Sequence, residues 1–308
     1  MKIDDLIQLT KKHRNFDAKS VLDKKVKLIN EFFRTENLDA AVIALSGGID
    51  SSLVLKLLLK AASQKNSPIK KVSGVFLPIY SKGTSGQKDA ELHVKNLLST
   101  CKQEISSSEI MQYHKYDLTS VAYEYFRIMN LFTNDNPKGM WVQGQIASIV
   151  RTPATYGEAA LLQSQCYRSL VVGTTNLDEG AYIGFFGKAS DGAVDLQPIG
   201  DLHKSEVFEL SFLLGIPAEI IGRTPTGDVW DSKCDEDMIG APYWFLEMYQ
   251  NLKSMDQLHL IDDIQDTVEK CLQINGWKIA IENIRKQNLH KYKVGSPARY
   301  IDVLPRTL

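Results

Sequence analysis

The string Ser46-Gly47-Gly48-Ile49-Asp50-Ser51-Ser52 brings hydroxyls, glycines and one acid together. Adjacent glycines let a backbone turn tightly and approach a ligand closely. Successive N–H groups there form an anion nest, backed by a helix N-terminus. Ser46, Ser51 and Ser52 add hydroxyl donors. Phosphate is the guest that suits such a loop. Asp50 would repel it unless a cation lay between, and Mg²⁺ prefers carboxylates together with phosphate oxygens. The string is neither GxxxxGK[ST] nor GxGxxG. Read without a ligand, it is a tight turn with Asp50 capping a helix.

A second polar group lies far along the chain, at Gly173-Thr174-Thr175-Asn176-Leu177-Asp178-Glu179-Gly180. Gly184-Phe185-Phe186-Gly187-Lys188 and Asp191-Gly192-Ala193-Val194-Asp195-Leu196 follow, then Pro198, Leu202 and Lys204. Glu179 offers a second metal-binding carboxylate. Lys188 is a point charge suited to phosphate. Phe185 and Phe186 either flank an aromatic ring or pack in the core.

Both groups need elements that hold them. Residues 40–45 (AAVIAL) form a short, wholly apolar run that ends at Ser46, and 53–62 resume with apolar spacing. That reads as buried strand, glycine turn and helix, because parallel strands are covered on both faces. The pattern repeats: 71–77 and 110–118 are strand-like, 89–98 and 120–129 helix-like. A longer helical stretch closing at 159–165 leads into a fourth strand at 169–172. Helices are also expected at 21–35, 203–214, 256–272 and 277–286, a loop at 217–242 and an irregular tail from 288. Alternation of this kind implies right-handed crossovers. The expected fold is α/β, a doubly wound, mostly parallel sheet flanked by helices, with a helical C-terminal extension. Such sheets bind ligands beyond the carboxyl ends of their strands. No linker divides the chain, so residues 1–308 read as a single domain.

Composition narrows the class. The chain has 36 Lys and Arg against 37 Asp and Glu, a net charge of −1. That lacks the basic excess of a general nucleic-acid binder. Cys101, Cys166, Cys234 and Cys271 form no CxxC pair and read as buried apolar residues of a reducing compartment. No run approaches the ~20 apolar residues of a membrane span, and no secretory signal pattern opens the chain. A soluble, cytoplasmic protein is expected. His93, His114, His203 and His259 lack metal-ligand spacing. The basic clusters Lys11-Lys12-His13-Arg14 and Lys24-Lys25 read as solvated faces, and Trp141, Trp230, Trp244 and Trp277 as core or interface anchors.

The loop at Ser46 resembles the PP-loop of the ATP pyrophosphatases, SGG(I/V)DS. That superfamily grips the pyrophosphate of ATP while adenylating a second substrate. With the downstream order GTxxxxE, GFFxK, DGxxD(L)xP and LxK, residues 38–240 are similar to NAD synthetase of the ammonia-dependent type. Leu77-Pro78 with Ser85 and Asp89-Ala90, Pro225-Thr226-Gly227-Asp228, Asp235-Glu236 with Gly240, and His290-Lys291 extend the likeness.

The resemblance implies adenine nucleotide alpha hydrolase-like architecture and a reaction. The nicotinate carboxylate of deamido-NAD attacks the α-phosphorus of ATP, giving an acyl-adenylate and pyrophosphate; ammonia then yields NAD and AMP. It implies an ATP site at Ser46, Gly47, Gly48, Asp50, Ser51, Ser52, Leu77, Thr174, Lys188 and Thr226. Mg²⁺ would sit on Asp50 and Glu179, and Arg151, Phe185, Asp191, Asp195, His290 and Lys291 would serve the acid substrate. Asp50, Lys188 and Asp191 would be catalytic, and the protein a homodimer.

Departures fall on the acceptor side. Gln145 and Ile149 stand where the family carries Asn and Arg in GNIxARxR, while Arg151 is kept. Asn176-Leu177-Asp178 replaces His-Ala-Ala, and Gly227 replaces Ala. Another acid such as nicotinate mononucleotide is therefore an alternative acceptor, and a non-catalytic nucleotide sensor a second alternative. Enzymes acting on tRNA are disfavoured by the missing cysteine pair and basic domain. No segment long enough for a glutaminase domain is visible, which implies free ammonia, or ammonia from a separate partner, as the nitrogen donor.

Overall fold

The computed structural model describes residues 2–80, 86–104, 109–131, 137–223, 234–293, 299–300 and 303–304. Two helices, α1 (Ile3–Arg14) and α2 (Ala18–Thr35), precede β1 (Ala40–Ala44). Then come α3 (Ile49–Ala62), β2 (Lys71–Phe76), α4 (Gly86–Glu104), β3 (Met111–Lys115), α5 (Thr119–Ile128), α6 (Pro137–Ile149), α7 (Arg151–Ser164) and β4 (Ser169–Val172). A π-helical turn, Asp178–Tyr182, leads to β5 (Leu196–Gln197), α8 (Lys204–Leu213), α9 (Ala218–Ile221), α10 (Asp235–Ile239) and α11 (Tyr243–Ser254). A 3₁₀ turn at Leu258–Ile261, α12 (Val268–Asn288), α13 (His290–Lys293) and β6 (Arg299–Tyr300) complete the chain.

The strands lie in the order β3-β2-β1-β4-β5-β6, and every pairing is parallel. Successive strand side chains point to opposite faces. In β1, Ala41 and Ile43 therefore join a core with α2, α3 and α8, while Ala40 and Val42 join one with α7. β4 divides likewise, Leu170 and Val172 to one face and Val171 to the other. The order reverses between β1 and β4, and the crevice beyond their carboxyl ends is where such a sheet takes ligands.

A separate core joins α1 to α11 and α12, through Leu6, Tyr182, Phe245 and Ile281 among others. Residues 256–272 are not one helix: a 3₁₀ turn stops at Ile261, and α12 starts only where the Thr267 hydroxyl accepts from Lys270 N at 3.4 Å. The expected loop 217–242 contains α9 and α10.

Two basic clusters also differ from expectation. Arg14 makes a bidentate pair with Glu206, Nε to Oε1 at 2.6 Å and Nη2 to Oε2 at 2.8 Å, both side chains buried. Lys25 is fully buried and pairs with Asp201 while donating to Pro198 O at 2.7 Å. These side chains face inward because α1 and α2 pack against the chain entering α8. Among the cysteines only Cys101 is buried; Cys166 is exposed, in the left-handed turn that ends α7. Trp230, like residues 225–228, lies outside the described residues.

Candidate active site

The glycine turn joins β1 directly to α3, which begins at Ile49 with Gly48 as its N-cap. Gly47 adopts φ +75°, and a Cβ there would lie 2.7 Å from Ala90 O on α4. The position thus demands glycine on both conformational and steric grounds. The loop is braced from within. Ser46 Oγ accepts from Gly48 N at 3.2 Å and meets Ser51 Oγ at 3.1 Å. The hydroxyls of Ser51 and Ser52 donate back to Gly48 O at 3.1 and 2.8 Å. Of the loop's polar side chains, Ser46 and Asp50 face the cleft; Ser51 and Ser52 are buried and hold the turn in shape.

Asp50 and Glu179 converge from the ends of β1 and β4, and three further residues join them. Asn176 Nδ2 donates to Asp50 Oδ1 at 3.1 Å and to Glu179 Oε1 at 2.8 Å, while its Oδ1 accepts from Glu179 N at 3.1 Å. Lys204 Nζ donates to Asp50 Oδ2 at 2.6 Å and to Glu179 Oε1 at 3.3 Å. The Tyr243 hydroxyl donates to Glu179 Oε1 at 2.8 Å and lies 3.3 Å from Asp235 Oδ2. Burial pushes the Glu179 carboxyl up to about 7; Lys204 opposes this, and the charges of Asp50 and Asp235 add to it. Burial also works against charge on Lys204, but Asp50 and Glu179 outweigh it and hold the ammonium above its ordinary value. Burial, then Glu179 and Asp235, raises the Tyr243 phenol, so it stays a donor.

Lys204 is the first residue of α8, and buried groups hold it there. Asp178 Oδ2 accepts from Lys204 N at 2.7 Å, and Asp178 Oδ1 lies 2.7 Å from His203 Nδ1. Glu206 Oε2, already paired with Arg14, accepts from His203 N at 2.9 Å. The carboxylates thus face a cation that their own scaffold presents. Two acids are drawn together around an ammonium beside the glycine turn.

The cleft is about 310 Å³ and runs from Ser46 and Asp50 to Asp191. Leu77, Arg151, Thr174, Glu179, Phe185 and Asp191 also line it. Arg151 opens α7, and its Nε donates to Leu77 O at 3.1 Å. Other residues named from sequence lie elsewhere. Lys188 is exposed and does not line the cleft. The Asp195 carboxylate accepts from Val171 N at 2.8 Å and from the Tyr156 hydroxyl at 3.3 Å, pinning β4 rather than facing the cleft. His290 is exposed, with Nδ1 3.0 Å from Gln287 O. Lys291 Nζ is spent on main-chain carbonyls. Thr226 lies outside the described residues.

Asn176, Lys204 and Tyr243 carried no assigned role in the sequence. Lys204 stood at the end of the LxK string, the one signal that could have found it. Tyr243 carried none, since it reaches Glu179 across 64 positions of chain.

Comparison with known proteins agrees with this geometry. The NAD synthase family profile matches residues 21–295. An NH(3)-dependent NAD(+) synthetase of Fusobacterium nucleatum subsp. nucleatum is 30% identical over 92% of this chain and 96% of its own. One from Picrophilus torridus is 34% identical over 72% of this chain and 78% of its own. Solved structures share the fold. The NMN synthetase of Francisella tularensis superposes with a TM-score of 0.65 at 24% identity, covering 91% of this chain and 98% of that one. An NH3-dependent NAD synthetase from Campylobacter jejuni gives 0.63 at 20%, covering 91% and 97%. A profile that spans nearly the whole sheet and its C-terminal helices, together with a relative matched along almost its full length, places this chain in the NAD synthase family.

Proposed function

We propose that this chain is an ammonia-dependent NAD synthetase, a ligase that amidates deamido-NAD at the expense of ATP. The observation that carries the reading is the Asp50–Asn176–Glu179–Lys204 cluster, set beside the glycine turn at the sheet's switch point. A carboxylate is a poor electrophile, so amide formation needs a leaving group first. The nicotinate oxygen attacks the α-phosphorus, and the bond to the departing pyrophosphate breaks. Ammonia then adds to the acyl carbon, AMP leaves, and a proton is lost to solvent. No covalent enzyme intermediate is required.

Each chain residue has a physical task in this scheme. The loop amides and Ser46 receive the phosphate chain. Lys204 is already desolvated and charged, so it stabilises the negative charge that grows on pyrophosphate. Tyr243 keeps Glu179 oriented. Leu77 offers the adenine an apolar wall, and Arg151, Phe185 and Asp191 stand on the acid's side of the cleft. Asp50 and Glu179 fit Mg²⁺, since both line the cleft and already surround a cation. When bound, the metal would neutralise phosphate charge.

The same reading treats the chain as one catalytic unit that works in the cytoplasm as a homodimer. Supporting the dimer, Trp141, Ile149, Tyr156 and Leu161 on α6 and α7 expose large apolar side chains. Among the described residues no helix is long and apolar enough to cross a membrane.

A pyrophosphate-release assay with ATP, Mg²⁺ and ammonium tests the proposal. Release is expected with deamido-NAD. Release only with a different acid would replace the acceptor, and ATP binding without release would overturn the enzyme reading.

A further inference from the structure

The turn that follows Glu179 is gripped along its length by a row of side chains from two consecutive helices. On α12 and α13, residues 282, 285, 288 and 291 recur at intervals of three, so each neighbours the next in the row. Each meets the segment 180–186. Glu282 Oε1 accepts from the Tyr182 hydroxyl at 2.6 Å. Arg285 Nη1 donates to Tyr182 O at 2.8 Å, with its guanidinium 4.1 Å from that ring's centre. Asn288 Nδ2 donates to Ile183 O at 2.9 Å. Lys291 Nζ donates to Gly184 O at 2.8 Å and to Phe186 O at 2.5 Å, and Tyr292 adds a bond to Gly180 O at 2.5 Å. Gly184 sits at φ +63°, and a Cβ there would lie 2.9 Å from Asn288 Cβ.

The two carbonyls taken by Lys291 belong to the residues on either side of Phe185. Phe185 itself faces the cleft, and its amide donates to Glu179 O at 2.7 Å. The Lys291 ammonium also feels Asp191 favourably and Lys188 unfavourably. Five backbone carbonyls of an irregular segment therefore find donors on α12 and α13. Gly184 O also accepts from Phe186 N at 2.9 Å; the others, left alone in a partly buried turn, would be costly.

We propose that α12 and α13 form a template for the acceptor wall of the cleft, with Lys291 as the positioning residue that sets Phe185. The inference rests on the proposed amidation for its kinetic side only. The glycine turn at Ser46 makes none of these contacts, so the template acts on the acid substrate and leaves ATP largely untouched.

The test is Lys291→Met in the full chain, which keeps the aliphatic stem and removes the donor. Hydrogen exchange at the Phe185 and Phe186 amides is expected to accelerate about tenfold, equivalent to ~1.4 kcal/mol of local opening, while exchange at Ser52 stays unchanged. The KM for deamido-NAD is expected to rise about tenfold by the same arithmetic, with the KM for ATP within about twofold. Gly184→Ala, which disturbs the same contact from the turn side, should reproduce this split. Unchanged exchange at 185–186, or KM values that move together or not at all, would overturn the template. If the wild-type chain does not turn over deamido-NAD, the activity reading fails, and exchange alone still decides for or against the template.

Discussion

Replacing Lys204 by methionine isolates the electrostatics of the site. The ammonium lies 2.6 Å from Asp50 and 3.3 Å from Glu179, and its side chain is 4% exposed. Without it, two carboxylates and nearby Asp235 share a pocket with no cation. Removing one partner of a buried pair costs ~3–5 kcal/mol. Asp50 and Glu179 retain 20% and 18% exposure, so the lower end, about 3 kcal/mol, is expected at pH 8 in magnesium-free buffer.

The loss should depend on pH in a specific way. Glu179 in the wild-type fold titrates near 7, above its ordinary value of 4.5, so between those values the folded state holds a proton that the unfolded state lacks. Stability therefore falls as pH rises through that window and levels above 7. In Lys204→Met the carboxyl titrates higher still, so its stability continues to fall above pH 7. The gap between the two proteins should then shrink by about 1 kcal/mol from pH 8 to pH 7, and by about 0.4 kcal/mol more to pH 6. Urea denaturation at pH 6, 7 and 8 with EDTA present measures it. A gap that is constant across this range, or absent at pH 8, would refute the assigned charge balance.

Three further outcomes are expected. Asp50→Ala should abolish pyrophosphate release while leaving the circular dichroism spectrum and a cooperative melt intact; turnover above about a tenth of wild type, a cost under ~1.4 kcal/mol in the transition state, would remove Asp50 from the phosphate site. Gly47→Ala should lose about 2 kcal/mol of stability, because φ +75° disfavours a side chain and Ala90 O stands in its way; an unchanged melting temperature would contradict this. Arg14→Met should cost about 3 kcal/mol by leaving Glu206 buried without its partner, read by urea titration at pH 7.

The sheet was legible in the sequence because its central strands are short apolar runs. Residues 40–45 and 169–172 needed only local composition, and β1 and β4 appear there almost to the residue. β5 and β6 were not legible: two residues each carry no period. α11 was legible too, since Phe245, Met248, Tyr249 and Leu252 carry the i, i+3, i+4, i+7 spacing of a helix, although the sequence expectation leaves 243–254 unassigned. The site divided in the same manner. The glycine turn, Asp50 and Glu179 could be named from spacing, whereas Lys188 was preferred over Lys204 because both are lone lysines and only the fold shows which one is buried against acids.

The two basic clusters carry the argument one step further. Arg14 and Lys25 each sit among lysines that sequence alone marks as surface, yet they pair with Glu206 and Asp201 across 192 and 176 positions of chain. No periodic rule reaches that far. Buried ion pairs are weak sources of stability, since desolvation offsets most of the attraction. Their value here is geometric. Arg14 orients Glu206, Glu206 and Asp178 cap the start of α8, and α8 presents Lys204 to Asp50 and Glu179. Asp178, one of the departures from the family pattern, is thus part of the frame that aims Lys204 at Asp50 and Glu179. Local reading could find residues that line the cleft, while those that aim them become visible only when α1, α2 and α8 are packed together.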